Sequence, residues 1–84
     1  MAKITIDLHD CFNNGRRIED ALHGAIDAAE RKRIKRVEII HGKGSGQLKK
    51  RVLRFLDQPA IKARYHRVEK DGNNHGRLFV HFRH

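Results

Sequence analysis

Ile39-Ile40-His41-Gly42-Lys43-Gly44-Ser45-Gly46 is the stretch on which the fold of this chain turns. An apolar strand end runs into three alternating glycines, and a helical pattern starts directly behind them. Glycine lets the backbone take positive φ and approach a ligand closely. The first N–H groups of a helix lack partners within it, and the helix dipole is positive there. Such a turn suits a phosphate, although a tight strand-to-helix turn also needs glycine for conformational reasons alone. Lys43 adds a point charge, and His41 adds a group that titrates near neutral pH. No Gly-Lys-Ser/Thr follows a four-residue spacer, so the stretch is not a P-loop.

Working outward, residues 36–40, Arg-Val-Glu-Ile-Ile, read as the strand entering the turn. Behind the turn the spacing predicts a helix over 45–57, with Ser45 as its N-cap. Leu48, Val52, Phe55 and Leu56 form its apolar stripe. Lys50 and Arg54 lie opposite, Lys49 and Arg51 flank them, and Pro59 ends the helix. Upstream, residues 4–9 alternate strictly, with Ile4, Ile6 and Leu8 on one side and Thr5, Asp7 and His9 on the other. A carboxylate and an imidazole thus project together from the end of a half-buried strand. Residues 10–17 form a connection with turn chemistry in Asn13-Asn14-Gly15, and Phe12 tucks beneath it. Residues 18–31 follow the helical period through Ile18, Ala21, Leu22, Ala25, Ile26 and Ala29. Gly24 inside that helix costs about 1 kcal/mol relative to alanine and suggests close packing. The outer face is acidic, with Glu19, Asp20, Asp27 and Glu30 around a surface His23. Five bases crowd the six residues 31–36, as dipole partners or as a second phosphate patch. Downstream, a hairpin joins a strand over 62–69 to one over 77–83 through the loop 71–76. His66, His75 and His84 read as surface residues.

The order is β-α-β-α-β-β: an α/β two-layer sandwich, with a four-stranded mixed sheet and two helices on one face. Right-handed crossovers make the first two strands parallel. Asp7, His9, His41 and the glycine turn then converge at the carboxyl ends, where open α/β sheets bind ligands. The basic run at 31–36 falls at the opposite end.

Eighty-four residues are read as one domain, 1–84, with a modest core. Nineteen Lys and Arg against ten Asp and Glu give a net charge of +9, which favours a polyanionic partner. Nucleic acid is the first candidate, and an acidic membrane surface is the alternative. No apolar run approaches the ~18 residues of a membrane span. The strand-like start shows no signal peptide, and the lone Cys11 fits a reducing cytoplasm. No exposed apolar stripe calls for a second subunit, so a monomer is expected.

Three features coincide: Ile6-Asp7-Leu8-His9, the turn His41-Gly42-Lys43-Gly44-Ser45-Gly46, and the basic helix beginning Gln47-Leu48-Lys49-Lys50. Together they resemble the Smr domain, the small MutS-related domain, over nearly the whole chain. The resemblance implies the same sandwich, nucleic-acid binding and, in members keeping the Asp-x-His motif, endonuclease activity on DNA or RNA. It also implies links to DNA repair and to ribosome-associated quality control. Asp7 and His9 match the positions tied to cleavage, while His41, Gly42 and Gly44 match the second motif. Ile6 replaces the usual leucine, Asp10 stands where glycine is common, and the loop before the first helix is longer.

The expected site therefore has Asp7, His9 and His41 as catalytic residues. Gly42, Lys43, Gly44, Ser45, Gly46, Lys49, Lys50 and Arg54 would contact nucleic acid. Cleavage has two routes. In one, Asp7 helps hold Mg²⁺ or Mn²⁺ and His9 activates water. In the other, His9 and His41 act as base and acid on RNA through its 2′-hydroxyl, with Asp7 orienting His9. One carboxylate is a thin supply for Mg²⁺, which favours the second route. The rival reading is a non-catalytic module that binds nucleic acid or the ribosome.

Overall fold

The structure is a computed structural model that describes residues 3–8, 15–42, 46–70 and 76–83. Seven elements follow one another: β1 Ile4–Asp7, α1 Gly15–Arg31, β2 Arg36–Ile40, α2 Gln47–Leu56, α3 Pro59–Lys62, β3 Arg67–Lys70 and β4 Arg77–His81. They build an α/β fold with a four-stranded mixed sheet in the order β1-β2-β4-β3. β1 runs parallel to β2, with Ile4 opposite Val37 and Asp7 opposite Ile40. β4 runs antiparallel to both β2 and β3, so the hairpin's second strand fills the gap between two parallel ones.

Alternation along the strands explains the layering. Val37, Ile39, Leu78 and Val80 are buried on one face of the sheet. Ile18, Leu22, Ala25, Ile26 and Ala29 of α1 and Val52, Phe55 and Leu56 of α2 join them in one core cluster. The edge strands add Ile4, Ile6 and Val68, each partly buried against it.

Several boundaries differ from those the sequence suggests. α1 starts at Gly15, three residues before Ile18, and Gly24 meets nothing within 4 Å of a built Cβ, so close packing is not its reason. The helix closes through Arg33, whose φ of 53° is left-handed, and the Ile34 N–H donates to the Ala29 carbonyl at 2.9 Å. The N-cap of α2 is Gly46 rather than Ser45, and Ser45 lies outside the described residues. Pro59 does not merely stop α2. It occupies the first turn of α3, where its missing N–H costs nothing.

The strand expected over 62–69 shortens to Arg67–Lys70. Ile61 and Tyr65 are buried, four residues apart, because the helical turn of α3 carries the chain there. The Tyr65 hydroxyl donates to the Leu56 carbonyl at 2.7 Å and ties that turn to the end of α2. The last strand ends at His81, although Phe82 N–H still donates to the Lys35 carbonyl at 2.8 Å. Phe12, His75 and His84 fall outside the described residues, and His66 is exposed as expected. No helix among the described residues is long and apolar enough to cross a membrane.

Candidate functional site

The parallel pairing of β1 and β2 brings their carboxyl ends side by side, as the crossover rule requires. Asp7 is the exposed last residue of β1. The ladder continues one step further, where Leu8 N–H donates to the Ile40 carbonyl at 2.8 Å. His41 follows directly on β2. Its backbone N–H and that of Gly42 both donate to the Gly76 carbonyl, each at 2.9 Å. The glycine turn is thus latched to the start of β4. Gly42 has φ 83° and Gly46 has φ 86°, values that an L side chain strongly disfavours.

The His41 side chain is 4 % exposed. Its Nδ1 lies 2.9 Å from the Gly42 carbonyl oxygen, which places the proton on Nδ1. Nε2 is buried and has no hydrogen-bond partner among the described residues. Burial pushes the imidazole below its ordinary value, the Gly42 hydrogen bond works against that, and the nearby Lys49 charge reinforces it. The lowered value favours the neutral ring, with the Nε2 lone pair unpartnered among the described residues.

Behind the turn, α2 begins at Gly46 with no side-chain cap. Lys50 N–H makes the first helical bond back to the Gly46 carbonyl at 2.9 Å. Gly46 itself offers no side chain to the N–H groups of the first turn. The Asp7–Ile40 pairing sets Asp7 next to the strand end that carries His41 and Gly42, and the Lys49 charge is felt at His41. Lys50 and Arg54 continue down α2, away from it, and line a cleft of about 650 Å³ with Lys62, Tyr65, His66 and Arg67. His9, Lys43, Gly44 and Ser45 are in the chain segments on either side and lie outside the described residues.

Comparison with known proteins decides the family. The sequence pattern of the Smr domain matches residues 6–83. The chain belongs to the Smr domain family. This is a family of nuclease-like, nucleic-acid-binding domains. The fold agrees with that of the Smr domain of Thermus thermophilus MutS2, solved by crystallography. The TM-score is 0.79 at 19 % identity, over 95 % of this chain and 98 % of that one. No curated protein matches the sequence.

Within this Smr domain, some residues at the site escaped the sequence reading. Gly76 contributes only a carbonyl, which no side-chain pattern signals. Arg36, Arg77 and Phe79 lie on the face of the sheet away from the helices. Alternation had separated Phe79 from the core side of β4 without giving it a neighbour.

Proposed function

We propose that this Smr domain binds single-stranded nucleic acid and cleaves RNA at the edge formed by Asp7, His9 and the glycine turn. The observation that carries the reading is the placement of an exposed Asp7 opposite Ile40, at the strand end that runs into a turn with left-handed Gly42 and Gly46. A carboxylate alone would repel phosphate. At the strand end next to the glycine turn, it can instead act on a group attached to a phosphate that the turn holds.

In this scheme Asp7 orients the His9 imidazole. His9 takes the proton of a 2′-hydroxyl, and the 2′-oxygen attacks the adjacent phosphorus. The P–O5′ bond breaks, and the leaving 5′-oxygen takes the proton back from the imidazolium so formed. The products carry a 2′,3′-cyclic phosphate and a 5′-hydroxyl. Lys43 and the turn N–H groups stabilise the phosphoryl oxygens, with Gly42, Gly44, Ser45 and Gly46 letting the backbone come close. Lys49, Lys50 and Arg54 hold flanking phosphates.

His41, buried and neutral, is better suited to positioning the turn than to donating a proton. Among the described residues no group of three or more His, Cys, Asp or Glu can hold a metal ion. Asp7 alone is a thin supply of donors for Mg²⁺ or Mn²⁺, and the proposed step uses the His9 imidazole instead.

The test is cleavage of labelled single-stranded RNA, of the same RNA with a 2′-deoxy residue at the cut position, and of DNA. Each runs with Mg²⁺, with Mn²⁺ and with EDTA, beside His9→Ala. Cleavage of RNA alone that survives EDTA and disappears in His9→Ala is expected. DNA cleavage that needs a divalent ion would overturn the histidine route. Salt-sensitive binding with no His9-dependent cleavage would make the domain a binding module, on free nucleic acid or on ribosomal RNA.

A further inference from the structure

The face of the sheet opposite the helices carries a set of residues aligned in rows by the strand register. Asp7, Ile40 and Arg77 share one row, because Asp7 pairs with Ile40 and Ile40 with Arg77. Thr5, Glu38, Phe79 and Glu69 form the next. Side chains alternate between faces, so these rows point away from Val37, Ile39, Leu78 and Val80, which face the helices. Asp7 therefore opens onto this free face and not onto α2.

Phe79 stands in the middle row, half-buried. The guanidinium carbons of Arg36 and Arg77 lie 5.2 Å and 5.3 Å from its ring centre. Arg36 is exposed and makes no ion pair among the described residues. The acids nearby are already engaged. Glu38 holds Lys3 at 3.1 Å and Arg77 at 2.7 Å, and Glu69 holds His81 at 2.7 Å. The Arg36 and Arg77 guanidinium groups lie over the half-exposed ring, so a base can stack on the layered arginine–Phe79 surface while Arg36 offers positive charge to a phosphate. A duplex keeps its base faces stacked inside and cannot use the ring. Arg77 is two strands from Asp7, a separation of about 9–10 Å, so a strand lying over this face reaches the catalytic edge.

We propose that the open face of the sheet, centred on Phe79 with Arg36 and Arg77, is a single-strand nucleic-acid platform that leads the chain to Asp7. It rests on the reading of the Asp7 edge as a phosphodiester site and adds the surface that selects single strands. The test is fluorescence anisotropy with a labelled RNA of about ten nucleotides, with DNA of the same sequence and with the corresponding duplex. The variants are Phe79→Leu and Arg36→Gln in the full chain, each checked for folding by circular dichroism.

Phe79→Leu should weaken binding of both single strands about tenfold and leave the duplex unchanged. Arg36→Gln should flatten the salt dependence of single-strand binding by about 0.7 in the log–log slope. It keeps the test decisive if Phe79→Leu folds poorly. Single-strand affinity and salt slope at wild-type level in both variants would overturn the platform. So would equal losses on single strands and duplex in Phe79→Leu. If the wild-type chain shows no salt-dependent binding, the nucleic-acid reading itself falls. If it binds and cleaves while both variants match it, only the platform falls.

Discussion

Glu38 concentrates the electrostatics of the open face in one side chain. It is 5 % exposed, yet Lys3, Thr5 and Arg77 all donate to its carboxylate. Burial opposes the charged form, but the hydrogen bonds from Arg77, Lys3 and Thr5 outweigh it and hold the carboxyl below its ordinary 4.5. The unfolded chain therefore takes up this proton first as pH falls. The stabilisation from Glu38 is complete above pH 4.5 and is lost as pH drops through the lower folded value. Glu38→Gln should lower stability at neutral pH by about 1–3 kcal/mol, since it leaves two cations without their acceptor. It should also shrink the stability difference between about pH 7 and about pH 3, measured by urea unfolding at each pH. An unchanged acid limb would show that Glu38 does not carry it.

Two glycines show how differently one residue type acts within helices. Gly46 sits at the start of α2 with φ 86° and open space around a built Cβ. The cost of a side chain there is conformational only, and Gly46→Ala should destabilise by about 1–2 kcal/mol. Gly24 lies inside α1, exposed, also with nothing within 4 Å. Gly24→Ala should stabilise by about 0.5–1 kcal/mol. Paired thermal melts check both signs. Opposite shifts are expected, and a stabilised Gly46→Ala would mean that the turn does not require its left-handed backbone.

The same elements show what was legible beforehand. Alternation in the first and last strands and the 3.6-residue stripes of α1 and α2 named most of the core, because burial on one face leaves a periodic trace. α3 left none. Pro59 reads as a stop, and Ile61 and Tyr65 fit a strand as readily as a helical turn. At the site, Asp7 and the glycine turn were readable because parallel crossovers place strand ends together. The neighbours of Phe79 were not, since Arg36 reaches it only through the register of β2 against β4.

At the scale of the molecule, charge is segregated. The net charge is +9, yet the outer face of α1 carries Glu19, Asp20, Asp27 and Glu30, with Arg64 bridging the last two. A polyanion is steered away from α1 and toward the turn, α2 and the open face. A single strand that spans the turn and the platform contacts about four phosphates, so log affinity against log salt should slope by about −3. A flat plot from titrations at several salt concentrations would rule out phosphate-driven binding.

The sheet order also sets a timetable. β4 is the last of the seven elements, yet it lies between β2 and β3 and makes two of the three strand pairings. As the chain emerges from the ribosome, α1 can settle on the β1–β2 pair early. β3 has no neighbour until residues 77–81 arrive. Anything that halts translation shortly before that point releases a strongly cationic chain with neither Phe79 nor the Gly76 latch. The proposed platform would therefore wait on a segment of five residues that joins the sheet only after β3 has been made.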